Sequence, residues 1–141
     1  MANSTTLYVG ADGRTQVDVT ENKTLTAADN GIVQNVIADA ITVTLPSTAL
    51  GLAFTVRNGG VPASCSVGMG TGADASALVT VAPASADGIS GLAFSAATNK
   101  AALNTKATSR VGDELTLLGT GTTGVTGWNV LRAKGVWARA A

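Results

Sequence analysis

Histidine is absent from these 141 residues, and cysteine occurs once, as Cys65. The first absence removes the commonest acid–base group and metal ligand. The second excludes an intrachain disulfide and fits assembly in a reducing cytosol. Aromatic side chains are five in number: Tyr8, Phe54, Phe94, Trp128 and Trp137. Charge is sparse and balanced, nine basic residues against nine acidic. No block of one sign stands out to attract nucleic acid or an anionic membrane. No apolar run approaches the roughly 18 residues of a membrane-spanning helix. The opening "MANSTTLYVG" lacks the basic and apolar regions of a signal peptide.

The residues that fill the chain are small. Alanine, glycine and threonine occupy 62 of the 141 positions. Alanine buries little area, so the core expected from this composition is thin. A thin core and low net charge predict self-association, with a homodimer slightly preferred over a homotrimer. The length fits one domain, 1–141.

Alternation with a period of two recurs throughout. It aligns Val17 with Val19, then Ile41, Val43 and Leu45. It aligns Leu52, Phe54 and Val56, then Val79 with Val81, Leu115 with Leu117, and Trp128 with Val130. Each run is short and ends at Gly, Pro, Asn or Asp, as strands do. Gln34 and Asn35 interrupt the pattern in "GIVQNVIADA", where a bulge would accommodate them. Thr26 ahead of Ala27-Ala28-Asp29 reads as the cap of a single helical turn closing at Asn30-Gly31. A further short strand is expected at Ser64–Val67. No segment keeps a 3.6-residue period over ten positions. The sum is an all-β domain: a sandwich of about eight short antiparallel strands, or a small barrel. The expected core comprises Val17, Val19, Ile41, Val43, Leu45, Phe54, Val56, Val79, Val81, Leu115, Leu117, Trp128 and Val130.

The candidate chemistry is weak. "GMGTGA" (68–73) matches a dinucleotide fingerprint, but "ADASALVTV" is too short and too β-like for the helix such a site requires, so the glycines read as a loop. Asp113 and Glu114 are adjacent in a strand and point to opposite faces. Serine lacks a histidine base and a Ser-x-x-Lys spacing. Cys65, without a histidine to form its thiolate, reads as a small core residue. No catalytic, cofactor-binding or metal-binding residues are assigned, and an enzyme is not expected.

Two passages resemble a known family. "TLTAADNGIVQNVIADAITVTLPSTALGLAFTVRNGG" (24–60) has Leu-Thr-Ala-Ala-Asp-x-Gly, a strand ending Leu-Pro, a glycine turn and a Phe-containing strand. "RVGDELTLLGTGTTGVTGWNVLRAKGVWA" (110–138) has Gly-Asp before a strand and Gly-Trp opening the next, then a final Gly-x-Trp. Together they cover 66 of 141 residues. They resemble the capsid decoration, or cement, proteins of tailed bacteriophages, and a module also found in some phage fibres. The resemblance implies a virion structural protein on the capsid exterior, made in the host bacterial cytoplasm. It would be a jelly roll or a related tulip-like barrel that cements neighbouring major capsid subunits. The short chain beginning at Met1 favours the free-standing decoration protein over a fibre, and the expected partners are the phage major capsid protein and a second copy. The alternative is a fibre-type receptor- or carbohydrate-binding module. A β-type hydrolase or lyase is the remaining class, and it lacks convergent ionisable groups.

The expected interface residues are Leu7, Tyr8, Val9, Arg14 and Arg57. Residues 1–9 mix small polar positions with Leu7, Tyr8 and Val9 and read as a mobile arm that orders against a neighbour, or as a plain first strand. Tyr8 is the natural anchor. Arg14 and Arg57 would pair with acidic groups at the rim.

Overall fold

The computed structural model describes residues 3–60, 76–92 and 95–141. The expected strand at Ser64–Val67, with Cys65, the 68–73 loop and Phe94, lies outside these residues. Among them run twelve strands: β1 (Tyr8–Val9), β2 (Thr15–Val19), β3 (Lys23–Thr24), β4 (Val33–Val36), β5 (Ile41–Thr44), β6 (Ala53–Asn58), β7 (Ala77–Ala82), β8 (Ile89–Ser90), β9 (Ala102–Thr105), β10 (Glu114–Gly119), β11 (Trp128–Lys134) and β12 (Ala138–Arg139). Helix among the described residues is limited to one 3-10 turn, Ala27–Asp29. Thr26 caps it as expected: its hydroxyl accepts from Ala28 N, and the Asp29 carboxylate accepts from Thr26 N, forming a capping box.

The strands form two sheets, ordered β1-β2-β4-β6-β10-β11-β8 and β12-β9-β7-β5-β3. The all-β sandwich therefore stands, but its expected detail needs correction. Strands number twelve rather than about eight, and five of the ten pairings are parallel. Parallel pairs have no place in the antiparallel Greek keys of a jelly roll. The reason is the path of the chain. It steps from β2 in the first sheet to β3 in the second, back to β4, across to β5, back to β6, and reaches the second sheet again at β7. Parallel neighbours need a crossover of a dozen or so residues. Here the strand in the opposite sheet serves as that crossover, so three coils stack on one another.

Asparagine fastens the corners of this winding. Asn3 Oδ1 accepts from Thr20 N and Glu21 N, and Asn22 Oδ1 accepts from Thr42 N. Asn30 donates to Gly51 O and accepts from Ala53 N. Its short amide reaches backbone that a turn would otherwise leave unpaired. After the coils the chain reverses. β9 runs antiparallel to β7, and β10 runs antiparallel both to β6 and to β11, with which it forms a hairpin.

The core lies between the sheets. Of the thirteen expected core residues, twelve are buried and Val130 is half-buried. Leu25, Val36, Leu78, Ile89, Ala102 and Trp137 join them. Leu78 and Val79 are both buried although adjacent, because the β7/β9 register shifts between Ala77 and Val79. Trp128 is fully buried, its ring 5.6 Å from that of Phe54 and inclined at 44°.

The bulge expected at Gln34-Asn35 is absent: β4 keeps an unbroken register with β2 and β6. Gln34 points inward at no cost in unmade bonds. Its Oε1 accepts from Lys23 Nζ at 2.7 Å, and its Nε2 donates to Ile32 O.

Candidate functional site

The outer face of the seven-stranded sheet carries an ordered set of polar residues. One row runs Tyr8, Gln16, Val33, Thr55, Thr116, Arg132; the next runs Asp18, Asn35, Arg57, Glu114, Lys134. Each row crosses the sheet, so neighbouring side chains meet as cross-strand pairs.

Their hydrogen bonds interlock. The Tyr8 hydroxyl donates to Asp18 Oδ1 at 2.5 Å and accepts from Gln16 Nε2 at 2.7 Å. Asn35 Nδ2 donates to the same Asp18 oxygen, and Arg57 Nε donates to Asn35 Oδ1. Arg57 also reaches Gln16 Oε1 and Asp12 Oδ2. Arg14 grips both carboxylate oxygens of Glu114, at 2.7 and 3.0 Å, and pairs with Asp12 at 2.6 Å. The Arg14 backbone N–H, followed by its guanidinium, holds the Asp12 carboxyl below its ordinary range. The bond to Glu114 in turn raises the pKa of Arg14. Beneath these long side chains Gln16, Asn35 and Thr116 are buried although they face outward.

Of the expected interface residues, Tyr8, Arg14 and Arg57 meet in this one network. Leu7 and Val9 do not join it. They flank Tyr8 at the sheet's edge, 51% and 69% exposed. The segment expected as an arm is, from Tyr8, the short edge strand β1 paired with β2, and Asn3 is tied to the turn at Thr20–Glu21. Below it a cleft of about 340 Å³ opens between Leu7, Val17, Lys23 and Ile32. A second recess, of about 270 Å³, lies beside Asn35, Arg57 and Val111.

Asp12, Gln16, Asp18, Asn35 and Glu114 do not stand out in the sequence as members of a site. For Gln16 and Asp18 the signal is their alternation with Val17 and Val19. Which strands lie side by side decides how such residues combine, and alternation does not carry that information. Asp113 and Glu114 do point apart. Asp113 is buried, accepting from Asn104 Nδ2 at 3.0 Å and from Arg110 N at 2.9 Å, whereas Glu114 faces outward to Arg14.

On the outer face Asp12, Asp18 and Glu114 each accept from side-chain donors. Among the described residues no group of three His, Cys, Asp or Glu side chains gathers to hold a metal, and no helix is long and apolar enough to cross a membrane. No protein-family model, no curated protein and no solved structure matches the chain.

Proposed function

We propose that this chain is a virion structural protein that binds the outer surface of a phage capsid and cements neighbouring major capsid subunits. The observation that carries the reading is the outer face of the seven-stranded sheet. It is broad, its central arginines Arg14 and Arg57 are paired with Asp12 and Glu114 within the face, and exposed Leu7 and Val9 border it. A surface already fixed in its bound form loses little freedom on docking. The resemblance of 24–60 and 110–138 to capsid decoration proteins supports the same reading. So does the chemistry of the face, which is suited to adhesion.

The fibre-type alternative, a receptor- or carbohydrate-binding module, needs aromatic rings open to a sugar. Tyr8 is 40% exposed, but its hydroxyl is already engaged, while Phe54 and Trp128 are wholly buried and Trp137 nearly so. The test is co-sedimentation of the purified chain with intact capsids lacking it, run beside a glycan array. Saturable binding to capsids with no glycan signal is expected. Glycan binding without capsid binding would overturn the proposal in favour of the fibre-type module.

A further inference from the structure

We propose that copies of this chain associate head to tail, the β1 edge of one adding to the open half of β11 in the next. This inference stands apart from the cementing role. It starts from the two ends of one sheet. Among the described residues β8 covers β11 at Trp128 and Asn129. Beyond the bulge at Leu131, Arg132, Ala133 and Lys134 resume regular pairing with β10, and no strand of the described residues pairs with their other side. At the opposite end, among the described residues, β1 pairs on one side, with β2. Such edges are templates for another strand.

The two edges match in direction. β2, β4 and β6 are mutually parallel, β10 is antiparallel to β6, and β11 is antiparallel to β10; β1 is antiparallel to β2. A second copy continuing the sheet therefore lays its β1 antiparallel to β11. The rows then run on. Tyr8 of the second copy falls in the row of Arg132, a cation beside an aromatic ring. Leu7, one residue on, falls in the row of Ala133, apolar against apolar.

Charge selects this pairing over others. Among the described residues Arg132 and Lys134 have no ionic partner, whereas Arg14 and Arg57 on the same face do. At the other end Asp18 is met only by uncharged donors, the Tyr8 hydroxyl and the Asn35 amide. Continuation brings Lys134 into the row of the next copy's Asp18, two strand spacings away, within reach of a lysine chain. Twofold pairing of β11 with itself would instead set Arg132 and Lys134 against their own kind. The charges that repel a second β11 accept β1, which replaces the dimer expected from composition with a heterologous contact.

The test uses two exposed double variants, Leu7→Asp/Val9→Asp at the β1 edge and Arg132→Glu/Lys134→Glu at β11. Sedimentation velocity of the parent from micromolar to millimolar concentration should show mass rising beyond one chain, and added salt should lower it, because the paired charges are exposed. Each variant alone should stay at monomer mass. Mixed in equal amounts, they should give a species of twice that mass and nothing larger, since each keeps one intact edge. A parent that remains monomeric, or whose association ignores salt, overturns the proposal without recourse to the variants. So does a mixture that stays monomeric while the parent associates, or a variant that associates as the parent does.

Discussion

Trp128 shows what one side chain does in a core built from small ones. It is fully buried against Phe54, and its indole N–H has no hydrogen-bond partner among the described residues. Shape, not bonding, holds it there. Trp128→Ala should cost about 3–5 kcal/mol, lowering Tm by roughly 10–20 °C for a chain of this size. Trp128→Phe should cost clearly less, since no bond of the indole is lost; thermal melts of the pair decide. Asp12 contributes to the response to acid. Its carboxyl titrates below the ordinary 3.8 because Arg14 donates to it. A depressed carboxyl stabilises the fold above its unfolded pKa and loses that contribution as pH falls through the folded value. Without histidine, stability should be flat from about pH 5 to 8, then fall below about pH 4. Asp12→Asn should flatten part of that acid limb in denaturant titrations at each pH, and an unchanged limb would show that the turn before β2 is not involved.

At the scale of elements, most of what the sequence discloses is the existence of strands. Val17/Val19, Ile41/Val43 and Leu115/Leu117 mark their strands by alternation, and their inward faces are as expected. Partner and direction are another matter. A parallel and an antiparallel neighbour demand the same period of two, so nothing in "QVDVT" announces that it lies beside "VQNV". Gln34 misleads for a related reason. A glutamine among valines reads as an interruption until Lys23, from the other sheet, is seen to satisfy it. For the same reason Tyr8, Arg14 and Arg57 can be named from sequence as surface anchors but not as members of one network. β1 is bonded into that network but supplies no residue to the core cluster. Deletion of residues 2–9 removes the Tyr8 bonds to Asp18 and Gln16 and the Asn3 bonds at Thr20 and Glu21 but leaves the sandwich core whole. The truncated chain should remain folded, with melting little changed, and, under the proposed cementing role, should fail to co-sediment with capsids. Undiminished binding would place the grip elsewhere, and unfolding would make β1 part of the core.

For the whole molecule, the pairings of β10 with β6 and of β9 with β7 lock the coils in place. Backbone amides of Phe54, Val56, Leu115 and Leu117 sit at the centre of the larger sheet and should exchange with deuterium most slowly. Those of Tyr8 and Val9 should exchange fastest among the strands, and equal rates would show that the sheet opens as one unit. The winding also gives the molecule a direction in time. Each coil rests on the one before it, β4 on β2 and β6 on β4, in the order in which a ribosome delivers them. The hairpin of β10 and β11, Glu114 to Lys134, follows the coils and must find a strand, β6, made about sixty residues earlier. Distant pairings of this kind are slow. A nascent chain halted before Glu114 would hold its coils with the flank of β6 bare, a tacky intermediate whose cure is simply the arrival of the remaining thirty or so residues.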